Sequence, residues 1–308
     1  MRVAILDDYQ DVALRFADWS GLDVTAFNDH LDDDDALVAR LEPFEAVVAM
    51  RERTPFPAAR LERLPNLRLL VTTGAANASI DVAAANAHGI TVCATGYFSS
   101  HTAELTWGLI LALARHIPAE DAAVRAGGWQ HTVGADLARR TLGVIGYGRL
   151  GTKVAEVGRA FGMEVIAWSQ NLRDAEGATV VTKEELLARA DIITIHVRLS
   201  DRTRGLIGAA ELAQMKPTAL LVNTSRGPIV DEDALLGALH GGRIGGAAID
   251  VYATEPLPPE HPLRSAPRTV VTPHIGYVTQ ATYDVFYRDA AEDVRAFLAG
   301  EPVRVIQA

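Results

Sequence analysis

The run Gly146-Tyr147-Gly148-Arg149-Leu150-Gly151 spaces three glycines as G-x-G-x-x-G. It follows the apolar stretch Leu142–Ile145 at once. It opens a helical pattern in which Leu150, Val154, Val157 and Phe161 share one face until Gly162 stops it. Strand, glycine turn and helix in that order suit a dinucleotide pyrophosphate. Gly146 permits the tight turn, Gly148 lets a phosphate approach the backbone, and Gly151 lets helix and strand pack closely. The helix then turns its first N–H groups toward the anion. In a chain with 25 glycines the spacing alone also arises in a plain strand–helix turn, so the context carries this reading.

The pattern expects an acidic residue about 20 positions on, to hold the adenosine ribose. The next strand instead ends Trp168-Ser169-Gln170-Asn171. A carboxylate at that position repels a 2′-phosphate, and its absence permits NADP. Ser169, Asn171 and Arg173 suit such a phosphate, while Ser169 and Asn171 suit a plain ribose equally. NAD and NADP both stay open on these residues.

Three further polar residues stand near predicted strand ends: Arg226 in Asn223–Gly227, Glu255 in Asp250–Pro256 and His274 in Thr272–Gly276. Open α/β sheets bind ligands at the carboxyl ends of their strands, so these positions suit a site. Taken singly, each also reads as a solvated loop charge or a satisfied structural histidine. His101 and Glu104 fall on one helix face, but no third metal ligand lies near, and a structural role is the simpler reading. No metal is expected. The acidic run Asp32–Asp35 reads as a solvated helix start or loop.

These residues must be positioned by two βα series. In the first, Val3–Leu6, Ala46–Ala49, Leu67–Val71 and Ile90–Cys93 are short apolar runs, with a helix over Asp81–His88. In the second, Leu142–Ile145, Val165–Trp168, Ile192–His196, Ala219–Val222, Ala247–Ile249 and Thr269–Val271 are strands. Helices fit Lys183–Ala190, Ala209–Met215 and Glu232–His240, and His101–His116 is a long apolar helix between the series. Gln280–Ala299 is helical again. Continuous apolar strands alternating with helices predict doubly wound parallel sheets covered on both faces. Two lobes with a cleft between them follow.

Composition sets the outer bounds. The chain has 308 residues, 49% hydrophobic and 22% charged, enough for two cores and too apolar for a disordered protein. A net charge of −10 argues against nonspecific nucleic-acid binding. The single cysteine, Cys93, excludes an intramolecular disulfide and a Cys-based metal cage. Its predicted place at a strand end reads as buried and inert. No apolar run reaches the ~20 residues of a membrane helix, and the N-terminus has no signal-peptide core. A cytoplasmic protein is expected.

Arg226, Glu255 and His274, in those segments and that order, resemble the D-2-hydroxyacid dehydrogenases, which include phosphoglycerate, glyoxylate/hydroxypyruvate and phosphite dehydrogenases. The resemblance is strongest over Leu69–Arg115 and Thr141–Gly276. It includes Thr73–Asn77 through Asp81, Thr102-Ala103-Glu104 and Met215-Lys216-Pro217. It implies a flavodoxin-like substrate domain, residues 1–97 completed by 277–308, and a Rossmann NAD(P)-binding domain, residues 98–276. It also implies hydride transfer between NAD(P)(H) and a small D-2-hydroxy or 2-keto acid. His274 is then the acid/base, and Glu255 pairs with its imidazole, favours its charged form and fixes the ring. Arg226 binds the substrate carboxylate and carbonyl with its planar fork. Arg51 and the backbone of Gly74 and Ala75 are the substrate-binding groups. Beyond the glycine motif itself, the implied cofactor set is Thr102, Ser169, Gln170, Asn171, Arg173, His196, Val197, Thr203, Thr224, Ser225, Asp250 and Gly276. Asp250 is assigned to the nicotinamide carboxamide.

Departures from the family pattern are specific. Ser169 replaces the usual acid, and Arg198 stands where the family often has proline. Glu52 and Arg53 follow Arg51 where a small residue is common, which hints at an anionic substrate tail or a surface role. Glu255 rather than Gln argues against the formate dehydrogenase branch. The added regulatory domain of some phosphoglycerate dehydrogenases has no counterpart before Ala308. Trp107 and the apolar run after it are expected in the core or at the interface of a homodimer. Two rival readings remain at this stage: a dinucleotide-sensing corepressor and a dehydrogenase of another anion such as phosphite.

Overall fold

The computed structural model describes residues 1–97 and 100–307. The chain divides into two compact units, residues 1–98 with 278–308 and residues 99–277.

The first unit is built on five parallel strands: β1 (Arg2–Ile5), β2 (Asp23–Ala26), β3 (Ala46–Ala49), β4 (Leu69–Thr72) and β5 (Thr91–Ala94). Their order is β2-β1-β3-β4-β5, the flavodoxin-like order. β3 and β4 are buried along their whole length, as their unbroken apolar sequences require. β2, Asp23-Val24-Thr25-Ala26, was not expected. Its residues alternate between exposed and half-buried on the sheet edge, so it lacks the apolar run that marks the others. The other edge, β5, is covered by the chain's end. Ala94 N donates to Arg304 O and Ile306 N donates to Val92 O, an antiparallel addition that satisfies the open strand. The Gln280–Leu298 helix lies against β4 and buries Phe286, Tyr287, Ala290 and Val294.

The second unit holds seven parallel strands: β6 (Thr141–Ile145), β7 (Glu164–Trp168), β8 (Thr179–Val180), β9 (Ile192–Ile195), β10 (Leu220–Asn223), β11 (Gly246–Ile249) and β12 (Thr269–Val271). Their order is β12-β11-β10-β9-β6-β7-β8. The chain starts in the middle, runs out to β8, then returns to β9 on the other side of β6. Ligands of open α/β sheets bind at such a reversal, outside the strands' carboxyl ends. β8 has only two residues, too few to give a sequence signal.

Burial on both faces explains the strand sequences. The adjacent residues Ile192 and Ile193 fall in opposite apolar layers. Ile193 joins Ile145, Leu186, Leu212, Leu221 and Leu239. Ile192 joins Val144, Val154, Val222 and the Ser100–Ala114 helix through Trp107, Ile110 and Leu113. Trp107 is therefore a core residue, its indole N–H donating to Val154 O at 3.1 Å. Cys93 is fully buried, and burial pushes its thiol up to about 12, which keeps it a protonated, unreactive thiol.

Candidate active site

At the end of β6 the backbone turns through Gly146 with φ +97°. A Cβ there would stand 2.6 Å from the His196 carbonyl carbon, so only glycine lets β6 and the end of β9 meet. A Cβ on Gly151 would fall 2.1 Å from Gly146 O. Gly148 differs: it is exposed, caps the twelve-residue Arg149–Ala160 helix, and its added Cβ would meet no atom of the described residues within 4 Å. Two glycines serve the turn itself, and the third leaves open space in front of a helix N-terminus. That is the shape an approaching pyrophosphate requires, so the residues fit a dinucleotide.

Ser169 follows β7 and accepts a hydrogen bond from Tyr147 N at 3.0 Å, which ties the end of β7 to the glycine loop. Tyr147 Oη donates to Glu176 O at 2.7 Å. Beside them, Ser169, Gln170, Leu172, Val181 and Lys183 help line a cavity of about 560 Å³. Asn171 and Arg173 are exposed. At the end of β9, His196 is half-buried with Nε2 2.9 Å from Thr194 Oγ1; burial pushes its pKa down to about 4, so it is neutral. Val197 O accepts from Ser225 Oγ, joining the β9 and β10 loops. Thr203 is taken up locally, donating to Arg198 O and accepting from Ser200 N.

Beyond β10 and β12 lie the polar residues singled out from the sequence. His274 Nδ1 is 2.6 Å from Glu255 Oε2, and Glu255 Oε1 accepts from Tyr252 N at 2.8 Å. The carboxylate requires the proton of that pair to sit on Nδ1, which leaves Nε2 to exchange protons. The ring also meets Tyr277 edge-on, centroids 5.6 Å apart. His274 itself has φ +54°, a conformation that costs a non-glycine residue of order 1 kcal/mol and needs support. Support comes from Asp250. This carboxylate is fully buried and accepts from Thr272 Oγ1 at 2.6 Å, Ile275 N at 2.9 Å and Gly276 N at 2.9 Å. Burial pushes its pKa up, while these hydrogen bonds oppose the rise. This geometry gives Asp250 a role beside the one the resemblance implies: its side chain grips the residues on both sides of His274. Tyr252, which the sequence reading missed, adds a second brace by donating its hydroxyl to Thr272 O at 2.8 Å. A lone tyrosine next to an acidic strand end carries no distinguishing signal.

Arg226 follows β10 and is half-buried, with Nη1 donating to Ser225 O at 2.8 Å and its own carbonyl accepting from Asn223 Nδ2 at 3.0 Å. Thr102 is buried, donating to Gly276 O at 3.0 Å, and Thr224 Oγ1 lies 2.9 Å from Thr106 Oγ1.

In the first unit the 51–54 loop and the 73–77 loop are stitched together. Asn77 Nδ2 donates to Arg51 O at 2.6 Å, and Arg51 N donates to Thr73 Oγ1 at 2.9 Å. The Arg51 guanidinium lies over the Tyr97 ring and directly above Gly74, whose φ is +90°. A Cβ on Gly74 would collide with Arg51 Nη1 at 1.8 Å. Gly74 N–H is engaged by Thr95 Oγ1 at 2.7 Å, so the expected pair of backbone donors reduces to Ala75, which is exposed. Among the described residues no group of three His, Cys, Asp or Glu stands ready to hold a metal, and no helix is long and apolar enough to cross a membrane.

Comparison with known proteins matches this build. The family model of the D-isomer-specific 2-hydroxyacid dehydrogenase, NAD-binding domain, matches residues 107–276. The glyoxylate reductase of Aeropyrum pernix is 43% identical over 255 residues, 78% of this chain and 76% of its own. The glycerate dehydrogenase of Methylorubrum extorquens is 38% identical over 283 residues, 88% of each chain. The crystal structure of a phosphoglycerate oxidoreductase from Vibrio cholerae superposes with a TM-score of 0.93 at 39% identity, covering 97% of this chain and 99% of that one. The chain belongs to the D-isomer-specific 2-hydroxyacid dehydrogenases, NAD-dependent oxidoreductases built from two parallel-sheet α/β domains.

Proposed function

We propose that this enzyme interconverts a small D-2-hydroxy acid and its 2-keto acid, with the second unit binding the dinucleotide and Arg51 and the Ala75 backbone binding substrate. The observation that carries the reading is the His274–Glu255 pair at 2.6 Å, beyond the carboxyl ends of β11 and β12 in the sheet whose strand β6 leads into the glycine cradle. When bound, the nicotinamide supplies the hydride. His274 gives its Nε2 proton to the substrate's carbonyl oxygen as the carbonyl carbon is reduced, and is itself left neutral. In the oxidative direction it takes that proton back. Glu255 stabilises the imidazolium and holds the ring, and Arg226 orients the carboxylate and polarises the carbonyl. Asp250 and Tyr252 keep His274 in its strained backbone conformation.

Ser169 removes the repulsion that an acid would exert on a 2′-phosphate, so the site admits NADPH beside NADH. The enzyme works in the cytoplasm as a homodimer. The support for pairing is the Ile117–Arg125 helix, which buries none of its residues, with Ile117, Val124, Trp129 and Val133 exposed on and after it.

The test is loss of the near-ultraviolet absorbance of NADH, and separately NADPH, against glyoxylate, hydroxypyruvate, pyruvate and phenylpyruvate. Oxidation with any of them at about 1–10³ per second supports the reading. Tight binding of both cofactors without turnover sinks it and leaves a sensing role or a different anion. Light scattering checks the dimer.

A further inference from the structure

The Ser100–Ala114 helix carries Thr102 and Thr106 one turn apart, both buried. A threonine inside an apolar helix loses side-chain freedom and needs a partner for its hydroxyl. Here the two hydroxyls join three segments. Thr102 Oγ1 donates to Gly276 O at 3.0 Å, two residues past His274. Thr106 Oγ1 donates to Thr102 O at 2.7 Å. Thr106 Oγ1 also lies 2.9 Å from Thr224 Oγ1, two residues before Arg226.

A hydroxyl has one proton to give. That of Thr106 is on the Thr102 carbonyl, because a carbonyl cannot donate. In the Thr106–Thr224 bond Thr224 is therefore the donor. The Thr224 oxygen keeps only lone pairs, just past the carboxyl end of β10, where a sheet of this kind receives its ligand.

We propose that Thr106 is a positioning residue for the dehydrogenase reaction: it ties the Arg226 loop to the helix that anchors the His274 loop, and it makes Thr224 an acceptor for a donor group of the bound dinucleotide. The inference rests on the dehydrogenase reading. Thr106 is 0% exposed and acts through Thr224 and Thr102, not by touching substrate. Nothing in the G-x-G-x-x-G motif or in the Arg226, Glu255 and His274 segments points to it.

The test compares Thr106→Val, Thr106→Ser and Thr224→Val with the unaltered enzyme. Readouts are kcat, KM for the 2-keto acid, NADH affinity by fluorescence titration, and Tm. Thr106→Val keeps the shape and removes the hydroxyl. It is expected to lower kcat about tenfold and weaken NADH several-fold, with KM for the keto acid within about twofold. Thr106→Ser restores both. Thr224→Val reproduces the loss, and the double variant loses no more than either single one. Wild-type kcat and NADH affinity in Thr106→Val or in Thr224→Val overturn the proposal. So does a Thr106→Ser enzyme as impaired as Thr106→Val, which assigns the effect to packing of the methyl group. If the unaltered enzyme binds NADH and reduces no 2-keto acid, the dehydrogenase reading fails, and the NADH affinities of the three variants still decide the role of Thr106.

Discussion

Glu255 divides its carboxylate between two partners: Oε2 faces His274 Nδ1 at 2.6 Å, and Oε1 takes the Tyr252 backbone N–H at 2.8 Å. The second bond fixes the carboxylate plane, and through it the imidazole. Removing the carboxylate thus removes both the charge beside the ring and the orientation of the ring. His274→Ala is expected to lower kcat by about 10²–10⁴-fold while NADH affinity stays within about twofold. Glu255→Gln keeps a hydrogen bond to the ring and loses the charge, so its kcat falls less than that of His274→Ala. A His274→Ala enzyme with near-normal turnover removes this residue from the mechanism.

The three glycines of the motif separate by test. Gly151→Ala sets a Cβ against Gly146 O and is expected to lower Tm sharply or prevent folding. Gly148→Ala meets no protein atom, so it folds with a Tm close to the unaltered value. Its NADH affinity falls by an order of magnitude or more, because the methyl stands where the phosphate must come. Equal NADH affinity in Gly148→Ala and the unaltered enzyme shows that the pyrophosphate lies elsewhere.

A substitution at Ser169 tests whether this residue faces the cofactor's ribose. Ser169→Asp places a negative charge at the end of β7, next to the Tyr147 N–H that Ser169 now receives. NADPH affinity is expected to drop at least tenfold, with NADH unchanged or improved. The measurement is a pair of fluorescence titrations at one ionic strength. A common loss for both cofactors means the residue does not face the ribose.

Asp293 makes stability fall with rising pH. It is fully buried on the Gln280–Leu298 helix; Oδ1 is 3.0 Å from the Arg304 guanidinium, and Oδ2 has no hydrogen-bond partner among the described residues. Burial, opposed by Arg304, pushes its carboxyl up from 3.8 to about 7. The folded chain therefore holds a proton that the unfolded chain has released between those values. Folded-state binding of the proton adds stability that is full below the unfolded pKa and is lost as pH rises through the folded one. Asp293→Asn keeps the neutral form at every pH. Its Tm is expected to exceed that of the unaltered enzyme at about pH 8, with a far smaller difference at about pH 4, read by calorimetry. The same Tm difference at both pH values rejects the assignment.

The local pattern was enough for much of this molecule. Uninterrupted apolar strands such as Ala46–Ala49 and Ile192–Ile195 must be covered on both faces, so their sequence already implies a parallel sheet. Gly146, Gly148 and Gly151 declare themselves because spacing, preceding strand and following helix lie in one short stretch. Arg226, Glu255 and His274 were ambiguous one by one; their segments and order singled them out through the family resemblance, and the fold brings His274 and Glu255 together. The polar edge strand Asp23–Ala26 and the two-residue strand Thr179–Val180 were not, since neither holds enough apolar residues to make a period.

What only the tertiary structure decided is which polar groups face each other across long sequence separations. Asp250 looks like a ligand-facing carboxylate in the sequence, and only the fold brings Thr272, Ile275 and Gly276 onto its two oxygens. Gly74 looks like a free donor, until Thr95, 21 residues away, accepts its N–H. Thr106 looks like a poor helix residue until Thr224, 118 residues on, meets its hydroxyl. The physical reason is the same in each case. Apolar burial depends on period, which a short window of sequence displays. A buried hydrogen bond depends on a partner within about 3 Å, and the packing of the whole sheet chooses that partner.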